Sequence, residues 1–283
     1  MLDCPADPWR ASATDPVPPV PDGFLMSRRA SRPAYRHAVE DFIAYKEARA
    51  GHFRQREAAS LVVPLIISFG APFNIALGRA PGPDERFETF VAGLFAGPVV
   101  IDSFGASACI QVNFTPQGAR QFFGLPMHAL TGEMVPLDAV LGASAGRLRQ
   151  LLGEESDWLR RLDLVEALVY RRLDRHAVPT PAIRQAFRRL TVAEGAVRIA
   201  DLADDLGWSR KHLAHRFREE IGLGPKTIAR MMRFQRVLRL ARTGAAQWAD
   251  IAAQCAYADQ AHLAREFAEF AGETPSEWKA RLV

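Results

Sequence analysis

Two short stretches near the C-terminus place basic, amide and alanine side chains where one face of a helix would present them together. The members are Arg210, Lys211, Ala214, His215 and Arg218 in the first stretch, and Gln260, Ala261, Ala264 and Arg265 in the second. Arg and Lys bond guanine, Gln bonds adenine, and Ala contacts the thymine methyl group in the major groove. This chemistry predicts two DNA-reading helices. We expect Arg265 to bond a base, unless it pairs with Glu269 four residues on, and Arg218 to contact phosphate.

The elements that must position these side chains are written twice in the sequence. The first copy contains Asp201-Leu202-Ala203, Leu206-Gly207-Trp208, Leu213, Phe217, Gly222 and Pro225. The second copy contains the matching residues Asp250-Ile251-Ala252, Cys255-Ala256-Tyr257, Leu263, Phe267, Gly272 and Pro275. The offset between the copies is 49 residues before the turn and 50 after it. Self-similarity of this kind indicates a duplicated unit. Each copy predicts a short helix, a tight turn, a capping residue (Ser209 or Asp259) and a second helix. The alternative, amphipathic helices with solvated charged faces, does not account for two copies in register.

A basic segment joins the two copies. Pro225 to Thr243 predicts one long helix with arginines at steps of three, at positions 230, 233, 236 and 239; we expect some of them to pair internally and others to meet phosphate. From Arg184 to Arg242 the chain holds 14 Lys/Arg against six Asp/Glu, a charge of +8, while the rest sums to −4. This asymmetry is typical of a phosphate-binding half joined to a neutral or acidic half.

These residues resemble the AraC/XylS transcription regulators over about the last 100 residues. The resemblance rests on two sets of residues. The first is Ile199 to Ala203, Trp208 to Leu213, Arg216 to Arg218, Gly222, Pro225, Arg233 and Ala241-Arg242, and the second is Ile251-Ala252, Tyr257 to Leu263, Arg265 to Phe267, Gly272 and Thr274-Pro275. It implies a seven-helix domain that reads two successive major grooves of double-stranded DNA, usually as an activator that contacts RNA polymerase. The base-facing positions it implies are Lys211, Ala214, His215, Gln260, Ala261, Ala264 and Arg265. The chain departs from the family at Trp208 and Tyr257, and the alanines at reading positions favour recognition of DNA shape.

The first half of the chain has a different pattern. Residues 1 to 33 hold seven prolines and predict a disordered tail, and 33 to 50 predict a helix. Short β-rich runs follow (60–69, 73–77, 87–95, 99–104 and 109–114), and helices follow from Pro116, the longest over 156–176. Pro179 and Pro181 predict a domain boundary. The predicted fold class is therefore α+β, with a small β-barrel, cupin-like sensor domain with helices over 34–177 and an all-α domain with two helix-turn-helix motifs over 178–283.

The function of the first half is left open by its residues. Phe69 to Phe73, Gln111 to Ala119 and Val135 to Asp138 resemble a cupin-like sensor domain found ahead of such DNA-binding domains, which implies no activity. Its phenylalanines favour a core over a ligand pocket, although a small-molecule effector could still bind among a few of them. The helix around Arg160 to Arg172 is either a solvated face or a homodimer surface. The alternatives to an effector-responsive activator are a constitutive regulator whose first half only dimerises and a cupin-like enzyme fused to a DNA-binding domain.

Several classes of protein are disfavoured by composition. With 48% hydrophobic residues in 283, the chain can bury two cores. No apolar run approaches a membrane span and no secretory signal is evident, so we expect a cytoplasmic protein with no membrane partner. Three scattered cysteines and no paired histidines favour neither a disulfide framework nor a metal site, and no catalytic or cofactor motif is found. We therefore expect no enzyme activity and no cofactor.

Overall fold

The computed structural model describes residues 24–48, 50–176, 178–243 and 247–281. Within these ranges the N-terminal half contains two antiparallel sheets. The six-stranded sheet has the order β1-β2-β9-β4-β7-β10 and the four-stranded sheet the order β3-β8-β5-β6. The strands are β1 (Phe24–Ala30), β2 (Val39–Glu47), β3 (Phe53–Glu57), β4 (Val63–Ser68), β5 (Phe73–Leu77), β6 (Arg86–Phe87), β7 (Phe90–Ala92), β8 (Val99–Ser103), β9 (Ala108–Phe114) and β10 (Met134–Pro136).

The two sheets face each other across a small apolar core. Ile66, Phe90 and Cys109 from the six-stranded sheet pack with Phe73 and Ile75 from the four-stranded sheet. The other face of the six-stranded sheet packs against helices, because its alternate residues are large and apolar. This arrangement of facing antiparallel sheets with helices on one side confirms the predicted α+β class.

Four helices cover the outer face of the six-stranded sheet and lead to the second half. They are α1 (Pro116–Phe123), α2 (Leu137–Leu141), α3 (Ala143–Glu154) and α4 (Trp158–Leu173). A 3-10 turn, Met127–Ala129, lies between α1 and β10. The predicted helices from Pro116 and over 156–176 are thus present.

Two predictions for the start of the chain are wrong. The segment expected to be a helix over 33–50 contains β2, which alternates Phe42 and Ala44 on one face with Ile43 and Tyr45 on the other. Because β2 is covered on both faces, its apolar residues do not alternate with polar ones, and the pattern imitates a helix. The predicted disordered tail ended at residue 33, yet residues 24–30 form β1, paired along its length with β2. Residues 1–23 of that tail lie outside the described residues.

The described part of the C-terminal half consists of seven helices. They are α5 (Pro181–Val192), α6 (Ile199–Asp204), α7 (Arg210–Glu220), α8 (Pro225–Arg242), α9 (Trp248–Gln254), α10 (Gln260–Ala271) and α11 (Pro275–Ala280). α6 and α7 form the first unit of the sequence repeat and α9 and α10 the second, and both units pack against α8. The long bridging helix predicted over 225–243 is α8.

The two halves share one continuous buried cluster, which runs from β2 to Trp278 of α11. Cys109 and Cys255 are free and buried, and burial raises the pKa of the Cys109 thiol to about 12. No helix in the described ranges is long and apolar enough to cross a membrane.

Candidate nucleic-acid interface

The turn between the two helices of each unit has the same backbone geometry. Gly207 in the first unit and Ala256 in the second have φ values of +64° and +56°. The amide of Trp208 donates to Ala203 O at 3.0 Å, and the amide of Tyr257 donates to Ala252 O at 3.0 Å. The left-handed residue reverses the chain between the helices, and the residue after it closes the turn.

The second helix of each unit begins at the capping residue that the sequence predicts. Ser209 Oγ accepts from the amide of His212 at 3.1 Å, and Asp259 Oδ1 accepts from the amide of His262 at 2.6 Å. Each cap binds a free amide of the first helical turn and fixes where α7 and α10 begin. An aromatic contact accompanies each cap: Trp208 lies edge-on to His212, and Tyr257 edge-on to His262.

Burial separates the faces of α7 and α10 as the sequence predicts. Leu213, Phe217, Leu263 and Phe267 are at most 1% exposed. The outward residues are exposed, except for the two partly buried alanines: the exposed ones are Arg210, Lys211, His215, Arg218, Gln260, Ala261 and Arg265, and the partly buried ones are Ala214 and Ala264. Each unit therefore presents a polar stripe that surrounds a small apolar residue.

The charges of these stripes are mostly not neutralised within the protein. Among the described residues, Arg210, Lys211, Arg218 and Arg265 make no ion pair, whereas His215 Nε2 lies 3.7 Å from Glu219. Glu269, the alternative partner of Arg265 in the sequence, instead pairs with Arg230. Arg265 is therefore available to an external anion or base.

The arginines of α8 behave differently. Arg230 Nε donates to Glu266 at 2.8 Å, Arg233 Nη2 lies 3.7 Å from Glu266, and Arg236 Nη1 lies 3.0 Å from Glu194. Arg239 also pairs with Glu194. Internal pairing was expected for some of these four arginines and is found for all of them, whereas the phosphate contacts expected of the others stay a prediction. The charge of +8 therefore overstates the positive charge that the domain offers to a partner.

Both stripes border the same side of α8. Arg210, Ala214 and Arg218 line a cleft with Ile199 and Lys226; the cleft also contains His128 of the N-terminal half. Arg265 lines a neighbouring groove that again includes Ile199 and Lys226. The structure therefore brings the two stripes together around Lys226. The sequence reasoning missed Lys226, although it lies in the first turn of the predicted bridging helix, because one turn of a helix does not show which neighbours it meets.

A buried glutamate holds each unit in place. Glu266 Oε1 accepts from the Tyr257 hydroxyl at 2.6 Å, and burial together with this hydrogen bond raises the pKa of Tyr257. Glu220 accepts from the amide and hydroxyl of Thr180 at 2.7 and 3.0 Å, and from Arg216 at 2.6 Å. Tyr257, a departure from the family in the sequence, thus has a structural partner. Across the described ranges, no group of three or more His, Cys, Asp or Glu side chains is placed to hold a metal ion.

Comparison with known sequences identifies two regions. Residues 202–281 match a helix-turn-helix domain family. Residues 29–136 match a domain of unknown function, DUF6597. No curated protein sequence matches the chain.

Three solved structures show limited similarity. ToxT from Vibrio cholerae O395 is 12% identical, with a TM-score of 0.45 over 86% of this chain and 97% of ToxT. The xylose-binding transcription activator XylR is 18% identical, with a TM-score of 0.31 over 43% of this chain and 38% of XylR. The AraC-like transcriptional activator CuxR is 14% identical, with a TM-score of 0.31 over 79% of this chain and 82% of CuxR.

The sequence match and the geometry agree on the C-terminal region. Its described residues form seven helices with two repeated units on one long helix, as the AraC/XylS resemblance implied. The match to a helix-turn-helix family spans both units. The C-terminal region is therefore a helix-turn-helix domain, and the chain is a DNA-binding transcription regulator.

Proposed function

We propose that the protein is an effector-responsive activator that inserts α7 and α10 into two successive major grooves on one face of the duplex. The observation that carries this proposal is the pair of exposed stripes at equivalent positions, which border one side of α8. The N-terminal part of such a helix enters the groove, and two such helices bound in adjacent grooves lie about one helical turn apart.

The residues of the two stripes have different proposed roles. In α7, Arg210, Lys211 and His215 approach bases and phosphates, whereas Arg218 lies in the last turn and contacts phosphate. In α10, Gln260 lies in the first turn and Arg265 one turn further, where both reach base edges. Ala214, Ala261 and Ala264 leave room for thymine methyl groups.

Lys226 has a proposed role between the two helices. Its side chain is exposed and lines both the cleft beside α7 and the groove beside α10. It makes no ion pair with a described residue. A cation at this position is suited to the phosphates that separate two successive grooves, where it releases condensed counterions without reading sequence.

We place the effector between the two sheets of the N-terminal half. One part of the contact between the sheets is an apolar core, and a row of polar side chains crosses the facing surface of the six-stranded sheet beside it. Gln111 donates to Asn113 at 2.8 Å, Asn113 donates to Asp41 at 2.8 Å, and Arg28 Nε donates to Asp41 at 2.7 Å. Gln111 and, opposite, Ile101 are only partly buried. This combination supports a small molecule with both polar and apolar parts.

Two further partners belong to the proposal. Activation implies contact with RNA polymerase. The surface proposed for a homodimer is α4, where Leu159 is 61% exposed and Leu164 41% exposed, because exposed apolar side chains are suited to a protein partner. Sedimentation of the wild type and of Leu159→Glu tests the second partner, since a charge in a homodimer surface lowers the sedimentation coefficient to that of a monomer.

The test of DNA reading uses the full chain and a site selected from random duplex DNA. Fluorescence anisotropy compares Lys211→Ala and Arg265→Ala with Arg79→Ala, a matched loss of charge in an exposed loop of the N-terminal half. We expect the first two variants to bind the selected site about tenfold more weakly or worse, which corresponds to about 1.4 kcal/mol or more. The proposal would be overturned if Lys211→Ala and Arg265→Ala bound the selected site with wild-type affinity, as the control Arg79→Ala is expected to do.

The effector has its own test. A library of small molecules is screened for ligands that raise the melting temperature of the full chain, since a ligand that binds only the folded state stabilises it. A ligand of the N-terminal half is then expected to change DNA affinity. A ligand that stabilises the protein without changing DNA affinity would favour the constitutive alternative.

A further inference from the structure

The N-terminal half contacts both DNA-reading helices at equivalent points. Gly222 follows α7 and Gly272 follows α10, 50 residues apart as the repeat requires. Both have left-handed backbones, with φ values of +106° and +69°. Each glycine is where the chain leaves its reading helix, and each meets a different segment of the N-terminal half.

The first contact joins α7 to the 3-10 turn. Thr131 Oγ1 donates to Gly222 O at 2.9 Å. A Cβ atom on Gly222 would lie 3.0 Å from the same hydroxyl, so only glycine fits without displacing it. The 3-10 turn Met127–Ala129 packs against α7 beside this hydrogen bond.

The second contact joins α10 to the four-stranded sheet. Arg56 Nη1 of β3 donates to Gly272 O at 2.9 Å, and the amide of Ala59 donates to Phe270 O at 2.8 Å. A Cβ atom on Gly272 would lie 2.9 Å from Pro98, which precedes β8. Two hydrogen bonds and one close approach therefore fix the end of α10.

A single short segment connects the two contacts within the N-terminal half. The amide of Gly132, next to Thr131, donates to Leu94 O at 3.1 Å. Four residues further, Pro98 abuts Gly272, and its carbonyl accepts from the amide of Gly78 at 2.7 Å. Leu94 is only 2% exposed. Residues 94–98 are thus held by hydrogen bonds at both ends. The ends of α7 and α10 are therefore both connected to this one segment.

We infer that Arg56 and Thr131 are positioning residues that set the distance and angle between α7 and α10, and thereby the spacing of the two half-sites that the protein prefers. The inference rests on the proposed function, since it needs both helices on the DNA. Within the C-terminal half, α8 links the two units through side-chain packing. The contacts of Arg56 and Thr131 in addition connect the ends of both helices to the N-terminal half. Each inserted base pair moves a half-site by about 3.4 Å and rotates it by about 35°, so small changes between the helices alter spacing preference.

The test is a spacing series with the full chain. The two half-sites of the selected DNA are separated by the natural spacing or by one or two base pairs more or fewer, and affinity is measured for wild type and for Arg56→Ala/Thr131→Val. We expect the wild type to lose about tenfold or more per base pair, because a mismatched register forfeits one helix's base contacts. The double variant should lose about threefold at the natural spacing and much less than the wild type at the others.

Controls separate positioning from simple loss of stability. Arg86→Ala removes an exposed arginine from β6 of the same sheet and should leave the spacing profile unchanged. Arg56→Lys keeps a donor and should restore part of the preference. If the double variant is unfolded by circular dichroism, Thr131→Val alone should still flatten the profile. A variant whose affinity falls by the same factor at every spacing would overturn the inference.

Failure of the proposed function and failure of the positioning role give different results. If Lys211→Ala and Arg265→Ala leave DNA binding unchanged, the proposed function fails. If those variants weaken binding while the double variant keeps the wild-type spacing profile, only the positioning role of Arg56 and Thr131 is wrong.

Discussion

The two helix-turn-helix units share a backbone but differ in what they offer to DNA. α7 presents Arg210, Lys211, His215 and Arg218, whereas the equivalent face of α10 presents Gln260, Ala261, Arg265 and Ala268. α7 thus presents three basic residues and one histidine, whereas α10 presents one arginine and one amide. We therefore propose that the first unit contributes more charge to DNA binding and that the second depends on fewer, more specific contacts.

The units also differ in how they are anchored. The buried carboxylate of the first unit, Glu220, binds Thr180 at the start of α5 and so faces the junction between the two halves. The buried carboxylate of the second unit, Glu266, binds Tyr257 and Arg230 and so faces its own turn and α8. Duplication has kept the helices, while the polar contacts that hold them have diverged.

The largest expected effect is on the stability of the second unit. Glu266 is 3% exposed, and Glu266→Ala leaves the Tyr257 hydroxyl and Arg230 Nε without their acceptor, while Arg230 Nη2 keeps Glu269. We expect a loss of about 3 kcal/mol in the free energy of unfolding. The matched control is Glu269→Ala, which removes a 49% exposed carboxylate from the same arginine and should cost less than about 1 kcal/mol. Urea denaturation measures both, and equal losses would show that Glu266 does not anchor the unit.

The next effect concerns base reading by the second unit. Arg265→Ala should remove about 1–3 kcal/mol of discrimination at one or two base pairs and leave the other positions unchanged. A scan in which each base pair of the selected site is substituted in turn measures this. A uniform loss over the whole site would indicate that Arg265 contacts phosphate.

A smaller effect distinguishes the turns. Gly207 and Ala256 occupy equivalent left-handed positions, and a side chain at Gly207 would meet no atom within 4 Å, so backbone strain decides the outcome. Gly207→Ala should destabilise the protein by about 1 kcal/mol, because strain exceeds the entropy gained by restricting the unfolded chain. Ala256→Gly should change stability in the opposite direction by a similar amount. Thermal unfolding checks both signs, and two changes of the same sign would contradict the equivalence of the turns.

The smallest effect is expected for Arg218, the proposed phosphate contact of the first unit. Arg218→Ala should weaken binding to every sequence about equally and lower the slope of log affinity against log salt by about one unit. Anisotropy titrations at several salt concentrations measure the slope. A loss confined to particular base pairs would assign Arg218 a reading role instead.

Local signals explain why the C-terminal domain was predictable. Ser209, Asp259 and the proline at the start of α8 act within one turn of their own helices, so the sequence shows where those helices begin. The outward residues followed from the same helical period. Their exposure agrees with the structure, and their contacts with DNA remain a prediction.

Distant partners explain what was not predictable. The arginines of α8 pair with Glu194 and Glu266. The hydrogen-bonded partners Arg230 and Glu266 are 36 residues apart in the sequence, and Arg239 and Glu194 are 45 apart, so the local sequence does not indicate these pairs. β1 and β3 were missed because they are edge strands with polar residues, and β2 because both of its faces are covered. The contacts of Arg56 and Thr131 with the reading helices depend on the packing of the two halves and could not be read from either one.

The most direct test of the account is base-removal interference on the selected site. Each base is removed in turn, and the DNA molecules that still bind the full chain are separated and sequenced. If α7 and α10 read successive grooves, the removals that abolish binding form two clusters centred about 10 base pairs apart on one face of the duplex, and Arg265→Ala makes one or two positions in only one of the clusters indifferent to removal. A single cluster, or two clusters that Arg265→Ala weakens equally, would contradict the account.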